Sequence, residues 1–407
     1  MAKSRISWII FIILFVDLLG FSFVFPQYAP LFLDKAHGLL PFHYSVAMRR
    51  LLHGFLIASY PLSQCIGIPL MGALSDRYGR KPLLLISLAS NTLGYSLCLY
   101  SIATHMVSFF FVGHIIAGLT GATLSITQSA IADVSDDDSK PRRFGLIFLA
   151  LGVGAIIAPL IGGHLVAGSP PLYAIPFRFA LGLAFFNIFI TLLFFSETRQ
   201  RSDNTSITPF FEVHHIFNAF KIPKIRMMFV VAFFFSIGWN CFIKFFHVFL
   251  IDKFAITSIG AGRFFAYFGL WMIVSQIIIK PLSKRWMPQQ TMAASAFSLA
   301  LCIPLLLMAK SIAIIFAIFP AIIVLQGLIY PNTIAFISNN APSDMQGNVL
   351  GIAQSIQALG KSFGPAIAGA LSVYNTSLPF MVASILVFAG GVVFMKYLQK
   401  QEAFSRG

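Results

Sequence analysis

The sequence predicts an all-α integral membrane protein with twelve transmembrane helices, arranged as two pseudo-symmetric six-helix bundles. Three observations lead to this fold class. Of the 407 residues, 58% are hydrophobic and 10% are charged, and the mean hydropathy of +0.85 lies far above that of soluble domains. Apolar runs of spanning length recur along the chain, and the two halves of the chain are similar in sequence.

The apolar runs are each about 20 residues long or longer, the length that a helix needs to cross a bilayer. The first run begins directly after Lys3 and Arg5 and is too long for the core of a signal peptide, so it predicts a retained helix. The twelve runs fall near residues 6–33, 51–74, 83–103, 106–133, 144–166, 175–195, 227–251, 260–280, 291–309, 312–337, 347–372 and 378–398.

One long polar stretch separates the sixth run from the seventh. It reads "SETRQRSDNTSITPFFEVHHIFNAFKIPKIR" and predicts a linker. The expected domains are therefore an N-terminal six-helix bundle over 1–196, a cytoplasmic linker over 197–226 and a C-terminal six-helix bundle over 227–407.

The basic residues predict the orientation of the chain in the membrane. With a cytoplasmic N-terminus, cytoplasmic segments hold 19 of the 28 Lys and Arg residues, and external loops with their margins hold seven. This asymmetry satisfies the positive-inside rule and explains the net charge of +15 without nucleic acid as a partner. We expect a multi-pass protein of the cell inner membrane, with the lipid bilayer as its surroundings and both termini in the cytoplasm.

The two halves repeat one motif without a gap. "GLIFLALGVGAIIAPLIGG" at 145–163 aligns with "GIAQSIQALGKSFGPAIAG" at 351–369. Duplicated six-helix halves are an architecture of secondary transporters, in which the substrate site lies between the halves near the membrane midplane. The repeat therefore predicts a transporter of a small molecule.

Of the 13 acids, twelve lie in loops or at the ends of predicted helices, and the remaining one is Asp17, inside the first predicted span. It sits about 17 Å along a helix that starts near Ile6, because each residue adds about 1.5 Å. An ionised carboxylate at that depth costs roughly 3 kcal/mol or more unless it is paired or faces water, and protonation removes that cost. A carboxyl that binds and releases a proton as a cavity changes sides would couple transport to protons. The alternative is a structural acid that is hydrogen-bonded to neighbouring backbone.

Other polar residues in the spans are candidates for the proton path or the substrate cavity. His114 in the fourth span is the second proton-coupling candidate, or else a buried imidazole bonded to a backbone carbonyl. Lys244 in the seventh span is expected to line the cavity with Asn240, one helical turn away. The polar positions Gln27 and Gln128 are further cavity candidates.

Lys361 in the eleventh span is the second base inside an apolar run. Lys361 or Lys244 could pair with Asp17 or with an anionic substrate, and the sequence leaves this open. The segment "LGKSFGP" around Lys361 imitates the end of a phosphate-binding loop but lacks the leading glycine and a preceding strand. The four cysteines stand alone, and no metal-ligand spacing or Ser/His/Asp grouping appears in a span. We expect no cofactor, no metal and no enzymatic activity.

A short charged loop, "GALSDRYGRKPLLL" at 72–85, follows the second apolar run. It resembles the signature loop between helices 2 and 3 of the major facilitator superfamily. The matching residues are Gly72, Leu74, Asp76, Arg77, Gly79, Arg80 and Lys81. "DLLGFSFVFPQYAP", starting at Asp17, is similar to the first-helix pattern of twelve-helix drug:proton antiporters, and "GHIIAGLTGA" is similar to their fourth helix. The nearest resemblance is to tetracycline:proton antiporters and related multidrug exporters.

The charged loop is expected to act as a gate. Gly72 has no side chain, so a helix of the other half could pack closely, and Asp76 lies just before the third predicted helix, where orphan N–H groups and the helix dipole favour a carboxylate. The resemblance implies that Asp76 also meets the other half and that Arg80 reaches Asp133 at the cytoplasmic end of helix 4. The loop would then hold the cytoplasmic side shut in the outward-facing state. The alternative is a solvated positive-inside loop.

"GAIIAPLIGG" at 154–163 resembles the fifth-helix motif of the antiporters. Gly154, Pro159, Gly162 and Gly163 permit a kink and close helix contacts, which could seal a leak path between the halves. In the family this motif marks exporters more than importers.

Two positions depart from the family pattern. His114 stands where Arg is usual, and Gly94 stands where tetracycline exporters often carry an acid, so tetracycline is not the expected cargo. The sequence leads to the hypothesis of a monomeric, proton-coupled secondary transporter that exports a small amphipathic or drug-like molecule by alternating access. Its alternatives are a proton-coupled importer of a nutrient, a dedicated metabolite or siderophore transporter, and a non-transporting receptor on the same fold.

Overall fold

The computed structural model describes residues 2–135, 140–166, 171–198, 223–282, 288–340 and 346–406. These residues form fourteen α-helices and two short 3₁₀ segments, and no strand occurs among them. The prediction of an all-α fold is confirmed.

Contacts divide the chain into two compact units. The first unit holds Met1–Ile207 with Ile256–Leu270, and the second holds Thr208–Ala255 with Trp271–Gly407. The first eight helices lie in the first unit. They are α1 (Ala2–Val24), α2 (Tyr28–Leu33), α3 (Val46–Tyr78), α4 (Arg80–Thr104), α5 (Val107–Thr120), α6 (Thr123–Val134), α7 (Lys140–Leu165) and α8 (Ala174–Phe194).

Six helices follow in the rest of the chain. They are α9 (Pro223–Phe254), α10 (Ser258–Leu282), α11 (Pro288–Leu305), α12 (Ile312–Asn339), α13 (Gln346–Ser372) and α14 (Leu378–Arg406). The beginning of α10, up to Leu270, belongs to the first unit. The predicted linker at 197–226 falls largely outside the described residues, so the predicted division into two bundles and a linker stays a prediction.

Nine helical segments in the described ranges are long and apolar enough to cross a membrane. Three of them, Ile6–Leu33, Val46–Tyr78 and Val107–Val134, cover the first, second and fourth predicted runs. The helices α7, α10 and α13 lie over the fifth, eighth and eleventh runs. The described helices therefore agree with the predicted membrane fold of twelve spans.

Two spans of the first unit are interrupted. In the first span, Phe25–Gln27 forms a 3₁₀ segment between α1 and α2, where Pro26 lacks the N–H that an α-helical ladder requires. In the fourth span, α5 ends at Thr120, and the N–H of the following residue, Gly121, bonds to the carbonyl of Gly118. Interrupted helices leave backbone groups that side chains can satisfy, and both breaks lie next to the site described below.

Two apolar clusters form the core of the first unit. One contains Ile10, Leu84 and Ile126 from α1, α4 and α6. The other contains Tyr28 and Phe110 among many aromatic side chains. Tyr28 also lines the cavity described below, so packed core residues bound that cavity.

The loop between α2 and α3 is held by one fully buried arginine, Arg49. Its guanidinium group donates hydrogen bonds of 2.6–3.2 Å to five backbone carbonyl groups. These are the carbonyls of Phe32, Asp34, Leu40, Pro41 and Tyr44. The Asp34 carboxylate in turn accepts a hydrogen bond of 3.0 Å from the hydroxyl of Tyr173, which lies just before α8. One side chain thus fixes the path of this loop.

Candidate functional site

Asp17 lies on α1 and borders a cavity inside the first unit. Its Oδ1 atom accepts a hydrogen bond of 3.1 Å from Nδ2 of Asn91 on α4. The side chain of Thr123, the first residue of α6, lies near the same carboxylate. The hydrogen bond therefore comes from a side chain of another helix rather than from neighbouring backbone.

The cavity has a volume of about 200 Å³, which is enough for several water molecules. Its wall combines one carboxyl group with amides, phenols, an imidazole and apolar side chains. The lining residues are Asp17, Leu18, Phe21, Tyr28, Tyr60, Gln64, Asn91, Gly94, Tyr95, Cys98, Gly113, His114, Ala117, Gly121, Thr123 and Leu124. A few polar groups on a mostly apolar wall are typical of sites that bind small molecules.

Three tyrosines give this cavity much of its aromatic surface. Tyr60 on α3 and Tyr95 on α4 both lie close enough to Asp17 to interact with its charge, and Tyr28 at the start of α2 packs on His114. These tyrosines are not among the candidates expected from the sequence. The spacing of these tyrosines identifies them as cavity residues only when the side of each helix that faces the cavity is known, because tyrosine in a span also occurs on lipid-facing surfaces.

His114 on α5 lies in the same cavity as Asp17. Its Nδ1 atom is 3.2 Å from the carbonyl oxygen of Phe110, an acceptor, so this nitrogen carries the proton and Nε2 is the acceptor of the neutral ring. The ring centroids of Tyr28 and Tyr60 lie 5.1 and 6.3 Å from that of His114. The structure thus brings both proton-coupling candidates to one cavity, and it also gives His114 the backbone partner of the alternative interpretation.

Gln27 lies elsewhere in the first unit, in the 3₁₀ segment between α1 and α2. It is fully buried and its Nε2 donates a hydrogen bond of 3.2 Å to the carbonyl of Gly162 on α7. It is not among the residues that line the described cavity. Its contact joins the interrupted first span to the glycine motif of α7.

The other cavity candidates are dispersed. Gln128 is half-buried on α6. In the second unit, Asn240 on α9 is buried, donates to the carbonyl of Ser236 at 2.8 Å and packs against Gly364 of α13. Lys244, one turn further along α9, is half-buried and lies close enough to Lys361 for the two charges to interact. Their part in binding stays a prediction.

Gly94 lines the cavity at a close contact between α4 and α5. A Cβ atom at this position would lie 3.1 Å from both the carbonyl oxygen of Gly113 and the Cβ of Ala117. A side chain at this position would require these neighbours to shift by a few tenths of an ångström, so the close contact favours glycine over an acid.

Arg80 joins the charged residues of the signature loop. This arginine, at the start of α4, is 3% exposed. Its guanidinium group lies 2.8 Å from Oδ1 of Asp76 and 2.9 Å from Oδ2 of Asp133, and it donates to Oγ of Ser75 at 2.7 Å. The contact with Asp133 is the one that the resemblance implied. It ties the ends of α3 and α4 to the end of α6.

The N–H groups at the start of α4 are capped by Glu197 and not by Asp76. Glu197 accepts from the N–H of Arg80 at 2.8 Å and from that of Lys81 at 3.0 Å. The expectation that Asp76 takes this position was wrong, because α3 continues to Tyr78 and leaves a single residue before α4. Sequence reasoning missed Glu197, although an acid directly after the sixth span, on the same side as the loop, is a signal for such a contact.

The remaining gate residues differ in their surroundings. Arg77 is exposed and its guanidinium carbon lies 5.3 Å above the centroid of the Tyr78 ring. The Nζ atom of Lys81 donates to the carbonyl of Leu192 at 2.9 Å. A Cβ atom at Gly72 would meet no described atom within 4 Å, so its expected packing role stays a prediction.

The glycines of the α7 motif lie at close helix contacts. A Cβ at Gly162 would be 2.6 Å from the carbonyl oxygen of Phe23 on α1, and one at Gly163 would be 2.6 Å from that of Ser258 on α10. Gly154 has more room, with Leu18 at 3.4 Å. Pro159 lies within the helix, and its carbonyl oxygen faces Gly262. The motif thus packs α7 closely against its neighbours in the first unit.

Comparison with known proteins places this architecture in a family. The chain is 29% identical to the class C tetracycline resistance protein of Escherichia coli over 367 residues, which cover 89% of this chain and 88% of that protein. It is 27% identical to multidrug resistance protein 2 of Bacillus subtilis (strain 168) over 368 residues, with 86% of each chain covered. The crystal structure of a D-xylose-proton symporter has a similar fold, with a TM-score of 0.76, 13% identity and coverage of 96% of this chain and 97% of that one.

The family model of the Major Facilitator Superfamily matches residues 10–365. This match confirms the resemblance drawn from the charged loop and the helix motifs, and with it the prediction of a membrane transporter rather than an enzyme. The chain belongs to the Major Facilitator Superfamily.

Proposed function

We propose that this protein is a proton-coupled exporter that carries a small amphipathic or drug-like molecule across the inner membrane in exchange for protons. The observation that carries the proposal is the placement of Asp17, the one acid that lies away from the loops and helix ends of the predicted spans, on a cavity whose wall also holds amide, phenol and imidazole groups. We also propose that the protein acts as a monomer with both termini in the cytoplasm, as the distribution of basic residues favours.

Asp17 would couple the flux of protons to the flux of cargo because its carboxylate can interact with a proton or with the cargo, but not with both at the same time. When the cavity is open to the outside, the carboxylate binds a proton. When the cavity is open to the cytoplasm, it releases the proton and the ionised carboxylate faces the incoming cargo. When neither a proton nor cargo is bound, the ionised carboxylate costs roughly 3 kcal/mol or more in apolar surroundings. The return of an empty transporter is therefore disfavoured, which makes proton and cargo fluxes obligatorily linked.

The cargo would be held by the mixed wall of the cavity. Aromatic faces from Tyr28, Tyr60 and Phe21 offer stacking surface, and the amides of Gln64 and Asn91 offer donors and acceptors. Such a wall suits molecules with an aromatic or aliphatic body and a polar group. This chain has Gly94, at a close helix contact, where tetracycline exporters often carry an acid. A cargo other than tetracycline is therefore favoured.

The charged loop would serve as the cytoplasmic gate. Arg80 binds Asp76 and Asp133 simultaneously, and such paired charges stay together only in a fixed arrangement of the helix ends. Motion of α3 or α6 that opens the cytoplasmic side would have to break at least one of these ion pairs. Their re-formation would favour the closed gate.

Inside-out membrane vesicles provide the test. Vesicles with wild-type protein are energised to an acid interior, and a pH-sensitive dye follows the gradient while single compounds are added: tetraphenylphosphonium and ethidium as cations, chloramphenicol as a neutral compound, and a naphthalene sulfonate as an anion. We expect at least one compound to discharge the gradient in wild-type vesicles and not in those with Asp17→Asn.

The matched control is Asp252→Asn, an exposed acid at the end of α9. This variant should respond as the wild type does. If Asp17→Asn and the wild type discharge the gradient equally with an active compound, Asp17 does not carry the proton. If uptake of a compound is driven by an inward proton gradient instead, the importer alternative replaces the exporter.

A further inference from the structure

The hydrogen bond between Asn91 and Asp17 joins two helices at the wall of the cavity. Nδ2 of Asn91, on α4, lies 3.1 Å from Oδ1 of Asp17, on α1. Asn91 is half-buried, and its amide cannot lose or gain a proton at physiological pH. The residue is therefore a fixed donor beside the group that is proposed to exchange protons.

We propose that Asn91 is a positioning residue that sets the proton affinity of Asp17, and so the pH range in which the transporter works. This inference rests on the proposed function of Asp17 as the proton carrier. It assigns Asn91 a role in proton binding, in addition to the contact with the cargo that its amide offers.

The physical reason is the difference between the two forms of the carboxyl group. An amide N–H that donates to a carboxylate oxygen stabilises the ionised form more than the protonated form, because the hydrogen bond is charge-assisted only in the first. The bond also holds the carboxylate toward the cavity. Release of the proton would then leave an ionised group that already has one partner in place.

Other groups around Asp17 are shared by wild type and by any variant at position 91. Tyr60 on α3, Tyr95 on α4, His114 on α5 and Thr123 on α6 line the same cavity. Two further helices, α7 and α8, pack against α1. Their described titratable side chains, His164 and Arg178, are exposed. A change in proton binding on substitution of Asn91 would therefore report the loss of its amide.

Infrared difference spectroscopy of the full-length protein in lipid nanodiscs tests the inference without a known cargo. The carbonyl stretch of a protonated carboxyl group is followed as the pH is changed, and the part of this signal that is missing in Asp17→Asn belongs to Asp17. Asn91→Leu removes the donor and keeps a side chain of similar size. Since a hydrogen bond to an ionised group corresponds to about one to two pH units, the midpoint of the Asp17 signal should rise by that amount in Asn91→Leu.

Asn187→Leu is the matched control. Asn187 on α8 is buried and its Nδ2 donates to the carbonyl of Ile13 at 3.0 Å, one helical turn from Asp17, so the same change removes an amide contact to α1 that does not reach the carboxylate. Its midpoint should stay within about a few tenths of a unit of wild type. Asn91→Gln, which retains an amide donor, should restore part of the wild-type midpoint and keeps the test usable if the leucine variant does not fold.

The outcomes separate this inference from the proposed function. If the Asp17 signal titrates but its midpoint is unchanged or falls in Asn91→Leu, the role of Asn91 is wrong and that of Asp17 is unaffected. A fall would mean that Oδ1 of Asn91 accepts from the protonated carboxyl. If no carboxyl signal disappears in Asp17→Asn at any pH, Asp17 does not exchange a proton, and both proposals are overturned.

Discussion

The Oε2 atom of Glu197 lies 2.5 Å from the point where a side chain on residue 79 would begin, and residue 79 is glycine with a φ of +101°. The carboxylate thereby reaches the first N–H groups of α4, more than one hundred residues away in sequence. Backbone conformation and space both require glycine at this position.

Gly79→Ala should lower the stability of the protein. With φ at +101° and ψ at 161°, residue 79 has a backbone conformation that essentially only glycine adopts and that costs other residues about 1–3 kcal/mol, and the added methyl group would displace the Glu197 cap. Thermal unfolding in detergent measures the effect, with Gly182→Ala in α8 as the control because a Cβ there meets no described atom within 4 Å. Glu197→Ala should cost about 0.5–2 kcal/mol by itself. Equal melting temperatures of Gly79→Ala and Gly182→Ala would contradict the prediction.

Arg80→Ala should destabilise the cytoplasmic end of the first unit by about 3 kcal/mol. Removal of one partner from a buried ion pair costs about 3–5 kcal/mol, and the lower figure applies because Asp76 is half exposed. The exposed Arg77 is the control, since surface changes usually stay within about 0.5 kcal/mol. The double variant Arg80→Ala with Asp133→Ala tests the pair directly: strict additivity of the two single changes would show that they do not interact.

Arg49→Lys should lower the free energy of unfolding by about 2–4 kcal/mol. A lysine ammonium group has three donors and no planar fork, so it cannot reach the five carbonyl groups that Arg49 satisfies, and charge-assisted hydrogen bonds contribute about 1.5–3 kcal/mol each. Arg178→Lys, at an exposed site on α8, is the control. Susceptibility of the 34–45 loop to added protease provides a second measurement, and it should rise in Arg49→Lys only.

Tyr173→Phe should cost about 1 kcal/mol, the net value of one hydrogen bond, in a pH-dependent way. Burial and the Asp34 carboxylate raise the pKa of the Tyr173 phenol above its usual value. A group whose pKa is raised on folding contributes stability below its unfolded pKa, near 10, and loses that contribution as the pH rises further. The stability difference between wild type and variant should be constant from about pH 7 to pH 9 and shrink above about pH 10. A difference that grows above pH 10 would contradict this assignment.

The fold and part of the site were predictable from the sequence for physical reasons. Spans are readable because a bilayer demands about 20 apolar residues, and Asp17 stands out because an acid in such a span is costly. The contact of Arg80 with Asp133 could be expected because the loop at 72–85 resembles the family's signature loop, and that resemblance implied the contact. Each of these signals lies in a single residue or a short segment.

The site residues that the sequence did not reveal are those whose position depends on which way their helix faces. Asn91 was one of many polar residues in spans, and only the rotation of α4 toward α1 singles it out. Tyr60 and Tyr95 required the same information. Gln27 lies in a segment that departs from the α-helix at Pro26, so a regular helical projection misplaces its side chain. The contact of Glu197 with Arg80 spans 117 positions, and its one signal in the sequence is the place of Glu197 directly after the sixth span.

The loop held by Arg49 has a fixed length. Surface loops generally accept insertions and vary among relatives, but here five carbonyl groups spread over residues 32–44 converge on one guanidinium group. A residue added or removed between them would change which carbonyls reach it. An epitope tag or a fused reporter should therefore be tolerated poorly in this loop, and evolutionary change there should take the form of substitution rather than of altered length.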